Sequence, residues 1–197
     1  FAQGNQEPAA FSYHGKTIPF GTNILFSCEN VQGLTVGCEI CEDLWVANPP
    51  GTDHALKGAT LIANLSASNE TIGKDEYREL LVKSGSARLI CGYIYTSAGE
   101  GESTQDLVFG GHNLIAENGT ILTQKKNFQC ETIYGDIDVQ KILSERRRMG
   151  TFGEEPKTLY AEVPFSLKVE ETKLVRTFPC MPFVPSNEEK RNSRCEE

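Results

Sequence analysis

The chain has 197 residues, 39% of them hydrophobic, with 19 Lys and Arg against 27 Asp and Glu for a formal net charge of −8. That length is enough for one core with an extension, and the negative balance excludes nucleic acid or an anionic membrane surface as the main partner. No run of about 18 apolar residues occurs, which excludes a membrane-spanning helix. Seven cysteines, an odd number without tight spacing, point to a reducing cytoplasm instead of a disulfide framework.

The opening Phe1-Ala-Gln-Gly-Asn-Gln-Glu-Pro8 is polar and has no apolar h-region, so it does not read as a signal peptide. Lys16–Phe20 and Asn23–Cys28 read as short strands around Gly21, and Val31-Gln-Gly33 as a turn. Leu34-Thr-Val-Gly-Cys-Glu-Ile40 follows as a buried strand. It stops abruptly on Cys41-Glu42-Asp43, with Trp45 and Pro49-Pro50 behind it. A strand ending on cysteine delivers a thiol to its rim, where a rigid element can position it. Cys41 is therefore the candidate nucleophile. Cys38 and Cys41 form a lone Cys-x-x-Cys, but residues three apart on a strand face opposite ways and no second pair follows, which disfavours a metal or redox pair. Cys91, inside Leu89–Tyr95, reads as a small core hydrophobe.

Asp53–Lys57 reads as a turn or two of helix ending at Gly58. Ala59-Thr-Leu-Ile-Ala-Asn-Leu65 is a second strand, apolar enough to be buried on both faces, and it runs into the polar loop Ser66–Lys74. Such runs between helices predict an α/β arrangement. If this strand lies parallel to and beside the first, both loops open on one rim, where α/β sheets place their sites. Asp75–Arg88 is the clearest helix, with Tyr77, Leu80, Leu81 and Ser84 at i, i+3, i+4 and i+7 as its inner face. Leu89–Thr96 is the next strand. The loop after it, Ser97–Thr104, carries Gly99 and Gly101 but no lysine, and Glu100 and Glu102 would repel phosphate. Val108–Lys125 reads as a hairpin on Asn118-Gly119, Thr132–Ile137 as a strand, and Asp138 as the cap of a helix to Met149 whose Arg146-Arg-Arg148 complements the dipole. Leu159–Val163 is strand-like, and the charged last dozen residues are expected to be poorly ordered.

Several of these segments carry a resemblance: Cys38-Glu-Ile-Cys-Glu-Asp-Leu-Trp45, Gly58-Ala-Thr-Leu-Ile-Ala-Asn-Leu-Ser-Ala-Ser68, Ile72-Gly-Lys74, Ala98–Asp106, Ser144–Phe152 and the tail Phe183-Val-Pro185. Together they resemble the glutaminase domain of glutamine-dependent NAD+ synthetases, a branch of the nitrilase, or carbon-nitrogen hydrolase, superfamily. The resemblance implies a four-layer α-β-β-α sandwich with its N-terminal part outside this chain. Residues 1–152 would be the C-terminal portion of the glutaminase domain, and 153–197 an extension toward an ATP-dependent synthetase domain.

The superfamily rests on a Glu-Lys-Cys triad, of which the resemblance places only the cysteine here, at Cys41. It makes the backbone N–H of Glu42 an oxyanion donor, lines the glutamine pocket with the side chains of Glu42 and Trp45, and has Ser68 and Lys74 bind the amino-acid part of the substrate. The implied partners are glutamine, a second copy in a homo-oligomer, and the absent N-terminal and synthetase regions. ATP and Mg2+ belong to the synthetase region, so no cofactor is expected here. A sheet lacking its companion should expose an edge or an apolar face. A stand-alone amidase and a non-catalytic interaction domain are the alternatives.

Overall fold

In the computed structural model, residues 4, 7–125, 128, 131–169, 176, 178, 180, 181, 184, 185 and 187–196 are described. Most of the polar opening and Phe183 of the tail motif lie outside that set. Nine strands and four helices occur among the described residues, with seven of the strands in one mixed sheet ordered β8-β7-β6-β5-β4-β3-β9. At its centre β4 (Thr35–Ile40), β5 (Leu61–Ser66) and β6 (Gly92–Ser97) are parallel, Ile40 level with Leu65 and Leu65 with Thr96. The neighbour relation expected from the two apolar runs therefore holds. β3 (Ile24–Cys28) is antiparallel to β4, and β9 (Ala161–Phe165) runs parallel to β3 at the edge.

Register explains the burial. Paired residues share a face, so Gly37, Glu39, Ile62, Asn64, Tyr93, Tyr95, Leu114 and Ala116 form one continuous buried surface. Against it pack α1 (Pro50–Leu56) and α2 (Lys74–Arg88). Pro50 starts α1 at its first helical position, where the missing N–H is not needed. The opposite face of the sheet leaves Cys38 exposed, with Ile40 64% and Leu65 55% exposed. The chain thus supplies the sheet and one helical layer of an α/β sandwich, and the expected uncovered apolar face is present.

The hairpin β7 (Asn113–Glu117) and β8 (Thr120–Lys125) turns on Asn118 and Gly119, both at positive φ (43° and 84°) as a two-residue hairpin turn of this hand requires. A Cβ on Gly119 would lie 3.0 Å from the Cβ of Ala87, and the Gly119 N–H donates to Ser86 Oγ at 2.9 Å. Gly119→Ala is expected to destabilise the chain by about 1 to 2 kcal/mol, read as a lowered urea midpoint at unchanged slope. A loss as small as that of an exposed helix substitution would show that the turn tolerates a side chain.

Three sequence expectations are corrected. Tyr77 and Leu80 are 49% and 60% exposed, whereas the inner face of α2 is Arg78, Val82, Gly85 and Ser86. The true stripe is offset by one residue because a buried arginine, paired through Nη1 and Nη2 with Glu70, His112 and Ser68, takes the place of an apolar anchor. Residues 132–137 form no strand. They cross the open face of the sheet, Ile137 packing where Gly92 has no side chain and Asp138 N–H donating to Glu117 Oε2 at 2.7 Å. The charged terminus forms α4 (Glu188–Glu196), capped by Asn187 Oδ1 accepting from Lys190 N–H. Its Asn-Glu-Glu start is a capping signal that outweighs the lack of apolar residues. A further element, a separate hairpin of β1 (Ala9–Tyr13) and β2 (Lys16–Phe20), adds a strand that the sequence reading did not contain.

The helix α3 (Val139–Arg148) is capped by Asp138 Oδ1, which accepts from Lys141 N–H at 2.9 Å. Its arginine run is not uniform. Arg146 turns inward and donates to the carbonyls of Ala55, Ala59, Leu89 and Ile90, while Arg147 and Arg148 are exposed. One guanidinium thereby ties together the ends of α1 and α2 and the start of β5.

Candidate active site

The chain leaves β4 abruptly. Ile40 is extended (φ −126°, ψ 117°), its N–H held by Asp43 Oδ2 at 2.8 Å, and the next residue, Cys41, is left-handed at φ 50°. A side chain in that region costs roughly 1 to 2 kcal/mol, so the surroundings must hold it there. Cys41–Leu44 then forms a 3₁₀ turn, closed by the Trp45 N–H donating to Glu42 O at 2.8 Å and anchored by buried Leu44. Cys41 is half-buried at the carboxyl end of its strand, Glu42 is exposed, and Trp45 is half-buried.

Two loops meet at this rim. Ser66–Gly73 follows β5, and the segment 98–112 follows β6. The Glu70 N–H donates to Val108 O at 2.7 Å and Asn69 bridges Phe109, so the loops are laced together. Ser68 is buried and accepts a long hydrogen bond (3.4 Å) from the Arg78 guanidinium. Lys74, at the start of α2, donates to Asn69 Oδ1 at 2.7 Å and lies 5.5 Å from the centre of the Trp45 ring, which in turn meets Tyr77 at 5.3 Å. Burial lowers the Lys74 pKa, as does the charge of Arg78, against opposing pulls from Glu70 and Cys41. Cys41, Trp45, Asn69 and Lys74 are therefore neighbours on one rim. Ser68, next to Asn69 in the same loop, is buried against Arg78 instead.

Beneath the rim lie polar groups that the sequence reading did not single out. Arg78, 0% exposed, donates to His112 Nδ1 at 3.0 Å and to both oxygens of Glu70 at 3.4 to 3.5 Å, joining α2 to both loops. Asn64, also 0% exposed, accepts from the Cys41 N–H at 3.1 Å and donates to Cys41 O at 3.4 Å. Glu39, two residues before Cys41, is 2% exposed and accepts from the Tyr93 hydroxyl at 2.9 Å. Burial pushes its carboxyl up to about 7, only partly opposed by Tyr93 and the Gly51 amide. The signal for these residues was present: a polar side chain inside each of two runs read as buried strand, and an arginine among the helix's apolar positions.

A cavity of about 420 Å³ opens further along the rim, lined by Ile94, Thr96, Ser97, Gly99, Gly111, Asn113 and Glu131 among others; Cys41 is not part of it. Among the described residues no group of three or more His, Cys, Asp or Glu is placed to hold a metal ion, and no helix is long and apolar enough to cross a membrane.

Comparison with known proteins agrees with this architecture. Residues 6–147 match the carbon-nitrogen hydrolase family. A glutamine-dependent NAD+ synthetase of Mycobacterium tuberculosis is 38% identical over the whole of this chain, which covers 30% of that protein. The mouse protein of the same name is 30% identical over 81% of the chain and 22% of its own length. The crystal structure of a glutamine-dependent NAD+ synthetase from Cytophaga hutchinsonii superposes with a TM-score of 0.53 at 31% identity, over 66% of this chain and 20% of that one. A carbon-nitrogen hydrolase from Helicobacter pylori, at 21% identity and a TM-score of 0.51, shares the fold over 61% of the chain and 45% of its own. The chain spans under a third of the length of the curated relatives it matches. With its thiol-tipped parallel strand and the family match over most of its length, the chain belongs to the carbon-nitrogen hydrolase family.

Proposed function

We propose that this chain carries the nucleophile half of a glutaminase that feeds ammonia to NAD+ synthesis. Cys41 attacks the side-chain amide of glutamine, the Glu42 N–H helps hold the oxyanion, ammonia leaves, and water hydrolyses the thioester. Glu42 and Trp45 line the pocket. Ser68 and Lys74 take the amino-acid end, the lysine as a point charge for the α-carboxylate. The ammonia passes to an ATP- and Mg2+-dependent synthetase region that converts deamido-NAD+ to NAD+. That region and the triad Glu and Lys lie outside this chain, the uncovered sheet face packs on the companion layer, and the assembly is a cytoplasmic homo-oligomer.

The observation that carries the reading is a left-handed Cys41 at the carboxyl end of β4, in the turn that leads to Trp45, whose ring lies 5.5 Å from the Lys74 ammonium. The names of the relatives supply the substrate. The test is covalent labelling with a diazo-ketone analogue of glutamine. In a polypeptide extended to include the upstream coding sequence, the label is expected on Cys41 and protected by glutamine. Label on Cys38, or none, would sink the reading. Lys74→Met is expected to raise the half-saturating analogue concentration about tenfold, the scale of one charge-assisted contact, with Lys74→Arg restoring it. The 197-residue chain alone is expected to release no ammonia above its Cys41→Ala variant, since the proton carrier is absent.

A further inference from the structure

At Cys41 the backbone abandons the sheet ladder. Ile40 is the last residue of β4 in register with β5, level with Leu65. Beyond it a side chain takes over: Asn64 Oδ1 accepts the Cys41 N–H at 3.1 Å, and Asn64 Nδ2 donates to Cys41 O at 3.4 Å. Both main-chain groups of one residue are met by a single amide. The amide's orientation is fixed as well. On the same buried face, Tyr93 gives its O–H to Glu39 Oε1 at 2.9 Å. Turned over, the amide would set a donor against the Cys41 N–H and an acceptor against the Cys41 carbonyl, so only one arrangement satisfies both. All three residues are at most 2% exposed, so water does not compete for these bonds.

We infer that Asn64 is the positioning residue of the nucleophile: its amide, bonded to both main-chain groups of Cys41, holds that residue in the left-handed conformation that swings the thiol out of the alternation of β4. That alternation puts Glu39 toward the helices and Ile40 toward the open face, so an extended Cys41 would turn its thiol inward toward α1. The clasp prevents this relaxation. The inference rests on Cys41 being the nucleophile proposed above, but it concerns the backbone, and its test does not require glutamine.

The experiment uses the whole chain with ¹³C-labelled cysteine, the Cys41 resonances being identified by their loss in Cys41→Ser. Asn64→Ala is expected to move the Cys41 ¹³Cα and ¹³Cβ shifts toward strand values. It is also expected to slow iodoacetamide alkylation of Cys41 about fivefold relative to Cys38 of the same molecule, read by peptide mass mapping well below the melting temperature. A residue that only supports the fold would lower the melting temperature and leave both the Cys41 shifts and the Cys41-to-Cys38 ratio unchanged; that result overturns the inference. If Asn64→Ala does not fold, Asn64→Leu decides, since it keeps the bulk and loses both the acceptor and the donor: left-handed shifts and an unchanged ratio would overturn the clasp. Failure of the glutamine analogue to label Cys41, with these shifts behaving as expected, would sink the glutaminase reading and leave the clasp standing.

Discussion

Arg146→Ala is expected to lower the melting temperature of the chain by about 6 to 12 °C, the largest loss from any single charged side chain outside the rim. Its guanidinium donates to four carbonyls, of Ile90 at 2.9 Å, Ala55 at 3.3 Å, Ala59 at 2.6 Å and Leu89 at 3.0 Å, and stacks 4.8 Å above the ring of Phe152. Three of the carbonyls belong to the last residues of α1 and α2 or the turns just beyond, where helices leave oxygens without partners. Truncation takes this donor from all of them, although Ala55 O keeps the Gly58 N–H at 3.1 Å. A hydrogen bond to a charged group contributes about 1.5 to 3 kcal/mol, though four sharing one side chain do not add. A net loss of about 3 kcal/mol is the resulting expectation, and a chain of this size converts each kcal/mol into about 2 to 4 °C. Arg146→Lys should recover little, because one ammonium cannot span four acceptors. Exposed Arg147→Ala should stay within about 0.5 kcal/mol. Thermal unfolding followed by circular dichroism distinguishes them, and equal losses for Arg146 and Arg147 would mean that the guanidinium is not the tie it looks to be.

The second large effect is a dependence on pH that one substitution should remove. Burial raises the Glu39 carboxyl from 4.5 to about 7. The folded chain therefore holds this proton more tightly than the unfolded chain does. Its contribution is complete below about pH 4.5, declines as pH rises, and is gone above about pH 7. At 1.36 kcal/mol per unit the change is about 3 kcal/mol. Glu39→Gln keeps an acceptor for the Tyr93 hydroxyl and has no charge to bury. It is expected to match the parent within about 1 kcal/mol at pH 5 and to be roughly 2 to 3 kcal/mol more stable at pH 8. Urea unfolding of both proteins at the two pH values measures the difference, in which the other titrating groups cancel. Parallel pH profiles would show that Glu39 is ionised throughout. One Glu39 oxygen accepts from Tyr93 and the other lacks a hydrogen-bond partner, so a charge there would be poorly compensated.

Much of the molecule could be read from the amino acids in order. The apolar runs around Val36, Ile62 and Ile94 mark the central parallel strands, although this chain buries only one face of them fully, where the sequence led us to expect both: Ile40 and Leu65 on the other face are 64% and 55% exposed. Asn118-Gly119 marks its hairpin because few other pairs accept two positive φ values. The abrupt end of an apolar run on Cys41-Glu42-Asp43 marks the rim, since charged residues cannot continue into the sheet. These are local properties of a chain and its nearest neighbours.

What the sequence could not decide is which polar side chains look inward. Asn64 and Glu39 sit in runs of similar composition, and only the register of β4, β5 and β6 sets them on the same face as Tyr93. Arg78 displaces the apolar stripe of its helix by one position because Glu70 from the loop before the helix and His112 from a distant one pair it, and residues 132–137 lie across the sheet because Gly92 leaves them room. Periodicity records where a side chain points along its own element. Whether burial there is favourable depends on a partner that only the folded chain brings within reach.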